Sequence, residues 1–406
     1  EMVSKLTGIK GTIQVDDPNN RSGKGKEFKG FPKLQSEVPS KIFYNSKDIY
    51  NGAYDSTRFY YTVEPFVLDS LDDFTESALR LKGELTSAGI FPKFKQEVQI
   101  MPDYSFGFST KAPDGGYVFY GTKAKYDNKI VLSNNGLQGA GKIDYLNATA
   151  ESKAFSFLPD STIGVAQFVN KQVVSGVQFP SVSGENAFIT YVPKKNLMKA
   201  KSGPRNDLQF FNNEAILKGT AFVTPEGMRG KGLMNFLSAT VVSEEFKYKA
   251  FDIDSDTTFF NLRNKALEEG EDKVAFQTNN VNAHISFKER KGQFVSNDGL
   301  SVVLFPVNQY RCQMDRFNWY MDTEEIEMES DDKQALAEGV DVIEPNFFST
   351  NSKKDTLAFK APLAKFSLKE KSIFCDQVQY VDVADARVFP SDKKLTIRKA
   401  AKLDPL

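Results

Sequence analysis

Two segments of this 406-residue chain align without a gap at an offset of 91 residues. Residues 136–157 read GLQGAGKIDYLNATAESKAFSF, and residues 227–248 read GMRGKGLMNFLSATVVSEEFKY. Identity falls on Gly136/Gly227, Gly139/Gly230, Gly141/Gly232, Leu146/Leu237, Ala148/Ala239, Thr149/Thr240, Ser152/Ser243 and Phe155/Phe246. The same offset pairs Phe119-Tyr120 with Phe210-Phe211. Repetition at fixed spacing implies stacked supersecondary units. A period this long holds about four solenoid coils of ~23 residues, or one small sandwich domain of about 100 residues. Partial echoes fall at other intervals: Leu81-Lys82-Gly83 with Leu217-Lys218-Gly219, and Ser296-Asn297-Asp298-Gly299-Leu300 with Ser133-Asn134-Asn135-Gly136-Leu137. The expectation is therefore an elongated all-β repeat array of β-solenoid or β-helix type, with tandem β-sandwich domains as the alternative.

The local pattern is β. Arg58-Phe59-Tyr60-Tyr61-Thr62-Val63-Glu64 is β-branched and aromatic, and Tyr104 to Ser109, Phe155-Ser156-Phe157 and Phe246-Lys247-Tyr248 alternate with period two. That is the signature of strands with one face buried. Turn clusters separate them at residues 112–116, 133–136, 224–227 and 296–299. The 35 Phe and 15 Tyr suit pleated surfaces. Helix signals are few: Asp331-Asp332-Lys333-Gln334 with Gly339 as its stop, and Asp73-Phe74-Thr75-Glu76. The expected organisation is a polar, loop-rich segment with the first strands over 1–57 and a β repeat region over 58–330. Its copies lie near 119–157 and 210–248. A C-terminal β segment follows over 331–406, opened by a short helix.

Charge and residue inventory narrow the function. A net charge of −1 argues against a phosphate-driven nucleic-acid binder. It argues equally against a polybasic membrane-surface protein. No run of residues approaches the length of a transmembrane helix. Glu1-Met2-Val3-Ser4-Lys5 does not open a signal peptide, and the chain reads as a mature or excised segment. The two cysteines, Cys312 and Cys375, allow one disulfide and exclude a disulfide framework. His284 is the single histidine, so a Ser-His-Asp triad and a multi-histidine zinc site are both disfavoured. It lies in Val281-Asn282-Ala283-His284-Ile285-Ser286-Phe287, a strand pattern, and is read as structural.

Five segments touch on binding chemistry. Gly136-x-x-Gly139-x-Gly141 lacks the G-x-G-x-x-G frame of a dinucleotide loop, because Asp144 stands at the last glycine position. Its glycines are expected to relieve a tight turn or a close approach of backbones. Gly23-Lys24-Gly25-Lys26 lacks the phosphate-loop frame and reads as a basic loop. Asp252, Asp254 and Asp256 form D-x-D-x-D, a candidate calcium site. Thr257 and Arg263 occupy the EF-hand's Gly and Glu positions, and a strand would instead set the three carboxylates on one solvated face. Asp322 to Asp332 reads as an acidic solvated surface. In Phe317-Asn318-Trp319-Tyr320-Met321-Asp322, Trp319, Tyr320 and Asp322 are the candidate carbohydrate-binding residues. Strand alternation places Phe317, Trp319 and Met321 on one side, the side of a core, and Tyr320 beside Asp322 on the other. No carboxylate pair stands out as catalytic, and nothing calls for a cofactor.

Gly136 to Ile143, Leu217-Lys218-Gly219-Thr220-Ala221 and Tyr380 to Pro390 resemble repeats in long β-rich envelope proteins of Bacteroidota, a likeness extending over residues 59–406. The glycine phrase is also similar to the β-groove repeats of the AsmA/TamB-type lipid-bridge families. Those grooves are lined by aliphatics along continuous strands, whereas this chain is Phe-rich and broken by turns. Asp55-Ser56-Thr57, Asp69-Ser70-Leu71, Asp160-Ser161-Thr162, Asp256-Thr257-Thr258 and Asp355-Thr356-Leu357 resemble Bacteroidota O-glycosylation acceptors, and such phrases also occur in ordinary turns. These resemblances imply an extracytoplasmic place in the periplasm, outer membrane or cell surface. The repeats and the poor catalytic inventory point to a non-enzymatic structural or protein-binding scaffold, whose expected partners are other envelope proteins or glycans. A carbohydrate-binding or carbohydrate-cleaving β-helix and a lipid-conducting β-groove are the alternatives.

Overall fold

The computed structural model describes residues 4–19, 30–264, 273–299, 301–330, 344–353 and 357–404. Strands account for 57% of the molecule and helical turns for 5%, so sheet faces are covered by other sheet faces rather than by helices. The strands form a large antiparallel sheet. The basic loop at Gly23–Lys26 and the capping box at Asp331–Gln334 fall outside those residues. At Asp73-Phe74-Thr75-Glu76 the chain makes two separate 3-10 turns, Leu71–Asp73 and Glu76–Ala78, with Phe74 extended between them. Neither turn receives a side-chain cap, so no α-helix nucleates there.

The chain divides into two compact units, residues 1–169 with 185–200, and residues 170–184 with 201–406. The change of unit falls inside the stretch read as one repeat region. Each unit carries one of the two aligned segments.

In the N-terminal unit, a five-stranded sheet contains Ser40–Phe43, Phe59–Val63 and Gly83–Ser87. Phe59–Val63 is buried at every second residue, as its sequence requires. A meander follows: β1 (Lys125–Ser133), β2 (Gly136–Tyr145) and β3 (Ala148–Leu158). Its inward rows are aromatic. Phe157 packs edge-on against Tyr126, 4.9 Å away, and against Phe119, 5.6 Å away. Buried tyrosines need a polar partner. Tyr54 finds two, accepting from the Leu137 amide at 3.0 Å and donating to the Phe157 carbonyl at 2.7 Å.

The C-terminal unit repeats that meander with β4 (Ala215–Thr224), β5 (Gly227–Phe236) and β6 (Ala239–Tyr248). The register matches the first segment residue for residue. Gly139 faces Phe155 and Gly141 faces Ser152, with a bulge between; Gly230 faces Phe246 and Gly232 faces Ser243, again with a bulge between. The sheet continues through β7 (Asp252–Arg263) to the long strand β8 (Val274–Ser286).

At β8 the sheet forks. Residues Val281 to Ser286 pair with β9 (Lys291–Ser296), while Gln277 and Thr278 pair with β10 (Val302–Phe305). The bend at Ser296–Gly299 therefore sends the chain to another branch instead of closing a hairpin as Ser133–Gly136 does. The chain then alternates. From β10 it runs to β11 (Tyr310–Gln313), crosses to β12 (Arg316–Tyr320) and β13 (Glu325–Glu329), and returns in β14 (Phe347–Ser349) and β15 (Ala358–Phe359). It ends in β16 (Leu363–Ser367), β17 (Ser372–Asp376), β18 (Leu395–Ile397) and β19 (Leu403–Asp404). One branch is thus β9-β12-β13-β16-β17-β18-β19, and the other is β10-β11-β14-β15. Phe305 of the second meets Phe366 of the first with ring centroids 5.3 Å apart, so an aromatic core lies between the branches.

Candidate functional site: a groove across six strands

The glycines and serines shared by the two aligned segments serve the backbone, while the shared Phe155/Phe246 and Ala148/Ala239 are buried in the core. A Cβ on Gly141 would lie 2.1 Å from the Asp127 carbonyl oxygen, and one on Gly232 would lie 2.4 Å from that of Lys218, the residue 91 positions on. These glycines let neighbouring strands approach closely. Ser152 and Ser243 hold the bulges: each accepts an amide hydrogen bond at 3.1 Å, from Ala154 and Glu245 respectively. Each also donates to a carbonyl on the next strand, Val165 at 2.6 Å and Thr257 at 2.9 Å. Thr149 donates to Asp144 and Thr240 to Asn235, both at 2.8 Å.

The three aspartates of D-x-D-x-D lie on the solvent side of β7, with Ile253 and Ser255 buried between them. They do not form a calcium cage. Asp254 accepts from His284 Nδ1 at 2.6 Å and pairs with Lys249 at 3.2 Å, while Asp256 pairs with Lys247 at 2.7 Å. Partial burial pushes the Asp254 carboxyl upward, but the bonds from His284 and Lys249 outweigh it and hold the group below the ordinary carboxylate range. Asp254 and Asp256 are engaged by side chains of β6, of the turn after it and of β8 instead of converging on one point. No cluster of three His, Cys, Asp or Glu capable of holding a metal occurs among the described residues.

Trp319, named among the candidate carbohydrate-binding residues but placed by alternation on the core side, belongs to the core. It is 0% exposed, with Phe260 at 5.5 Å and Phe236 at 5.7 Å, so neither indole face is open to a ligand. Tyr320 and Asp322 are on the opposite side, as alternation required, but they do not act together. Tyr320 donates to Glu327 at 2.8 Å, and the hydrogen bond to that carboxylate raises its phenol pKa. Asp322 accepts from Arg290 at 3.1 Å, and Arg290 also reaches Glu214 at 2.8 Å. Asp55, in one of the glycosylation-like phrases, caps its own turn through Thr57.

The register brings together what no local phrase contains. Arg229, Lys247, Asp254, His284 and Gln293 are successive cross-strand partners from β5 to β9. The same row continues through Asn318, Glu327, Lys365, Phe374, Thr396 and Asp404, from β12 to β19. From Arg229 to Thr396, each sits between two buried neighbours in sequence, so the whole row faces solvent. A second row two residues along, Val295, Arg316, Glu329, Leu363 and Asp376, runs beside its C-terminal half. Between the two rows lies a groove of about 790 Å³, lined by three successive residues from β9, β12, β13, β16 and β17 and by Lys394, Leu395 and Thr396 at β18. Lys365 leans out to Glu325 at 2.8 Å, and Glu327 holds Tyr320. The Gln293 and Asn318 carboxamides have no hydrogen-bond partner among the described residues.

Compared with known proteins, the chain matches no family model, no curated protein and no solved structure. No helix among the described residues is long and apolar enough to cross a membrane.

Proposed function

We propose that the chain is a non-enzymatic β scaffold of the bacterial cell envelope or cell surface, built as a repeat array and acting in structure or in binding other proteins. The observation that carries this reading is the pair of matched hairpins. Their shared glycines and serines are spent on backbone approach and bulge geometry. A sequence duplicated in its packing residues and free to vary on its solvent face is suited to an extended surface rather than to one catalytic point. The alternation of hairpins between two branches after β8 supports the array, since successive hairpins add to each branch in turn. The envelope location rests on the resemblance of Gly136 to Ile143 and Tyr380 to Pro390 to envelope repeats. Fractionation of the producing cells, with an antibody against the chain and protease shaving of intact cells, tests it. Recovery with the envelope, and raised detergent sensitivity on deletion, are expected. Recovery in the cytoplasmic fraction alone would overturn the proposal.

A further inference from the structure

We infer that the groove across β9, β12, β13, β16, β17 and β18 is a binding site for a neutral polysaccharide chain. This goes beyond the scaffold reading and stands on a different observation. The groove crosses six strands, and five inter-strand spacings of about 4.8 Å make it roughly 24 Å long. That length suits a linear polymer segment rather than a single small ring. It runs across the strands, and the backbone groups of its floor are already committed to the ladder. A peptide adding to a sheet needs a free edge, which this floor does not offer. Recognition therefore falls to side chains.

Those side chains match hydroxyl groups and carry no net charge. Arg316, Lys365 and Lys394 balance Glu327, Glu329 and Asp376 along the lining, which gives neither a polyanion nor a polycation an advantage. Gln293 and Asn318 stand next to each other across β9 and β12 with both carboxamides unpartnered among the described residues, each able to donate and accept. Phe374, half-buried between Lys365 and Thr396, and the exposed Val295 and Leu363 of the second row offer apolar contact in the lining. The C–H edges of a sugar ring suit the negative face of such a phenyl group.

Native affinity electrophoresis of the full chain in gels holding neutral polysaccharides (β-glucan, mannan, xylan, dextran) tests the assignment. At least one polymer is expected to retard the protein at both low and high salt. Gln293→Ala, Asn318→Ala and Phe374→Ala are each expected to weaken that retardation about tenfold. Lys231→Ala, outside the groove, is expected to leave it unchanged. Gln293 is exposed, so its variant reads binding free of any folding defect. The inference is overturned if no neutral polymer retards the chain, if the groove variants bind like the parent, or if high salt abolishes retardation. None of these outcomes bears on where the protein resides, so the scaffold proposal is judged separately.

Discussion

Gly141 and Gly232 sit where a methyl group would run into backbone, at 2.1 and 2.4 Å from carbonyl oxygens that no side-chain rotation can move. Replacement of either by Ala forces strands apart, and overpacking of this kind costs about 1–3 kcal/mol. Urea unfolding of Gly141→Ala and Gly232→Ala is expected to show losses in that range at both sites. A second residue-scale expectation concerns Asp254. Its folded pKa lies below the ordinary value, so the unfolded chain takes up the proton first as pH falls. The stability that Asp254 contributes is full above the unfolded pKa and disappears as pH drops through the folded one. Asp254→Asn should therefore flatten the fall in stability below about pH 4, a range set by ordinary carboxylates. An acid limb as steep as the parent's would exclude the His284 and Lys249 bonds as the cause. The glycines were legible from sequence because they recur at one offset and lack a nucleotide-loop frame. The role of Asp254 was not, because His284 comes from β8, a strand thirty residues on that only the register sets beside it.

Hairpin tips show how an element can be set against a residue's own preference. Leu146 and Leu237 open the two matched turns with φ of 53° and 51°, a left-handed conformation that costs a branched side chain about 1–2 kcal/mol. Both are exposed, so little burial repays the strain. Leu237→Asn is expected to stabilise the protein by up to about 1 kcal/mol, since Asn tolerates this region. Thermal melts showing a loss instead would mean the leucine packs against something in the folded protein. The bulge serines act at the same scale. Ser243→Ala removes bonds to Glu245 and Thr257 and leaves Ser255 without its hydroxyl partner, and should cost about 1 kcal/mol or more. Strands and turns were readable because alternation and Asn-Gly or Pro-Gly clusters are local signals. The fork at β8 was not, because Ser296–Gly299 looks like the Ser133–Gly136 hairpin while its flanking strands pair elsewhere.

Across the whole molecule, aromatic rows fill the inside of each unit and mixed charges cover the outside. Cys312 and Cys375 belong to the inside. Burial pushes both thiols well above their ordinary value, so they are expected to resist alkylation in the native protein and react only on unfolding. The period-two pattern told inside from outside well enough to place Phe317, Trp319 and Met321 together in the core. It could not reveal the polar row from Arg229 to Asp404, which spans eleven strands and takes one residue from each. That row is assembled only by register, which is a property of pairing between distant segments. Trp319 lies on the core side that alternation gave it, so of the three candidate carbohydrate-binding residues only Tyr320 and Asp322 reach the solvent side.

The chain divides into residues that hold the sheet together and residues that face a partner. Melting temperatures of single variants test that division directly. Gly141→Ala and Gly232→Ala should each lower the midpoint by several degrees, since 1 kcal/mol corresponds to about 2–4 °C for units of this size. Gln293→Ala, Asn318→Ala and Lys394→Ala, on the groove, should stay within about a degree of the parent, as surface changes do. Groove variants that destabilise as much as the glycine variants would show the polar row to be part of the scaffold itself and would contradict that division.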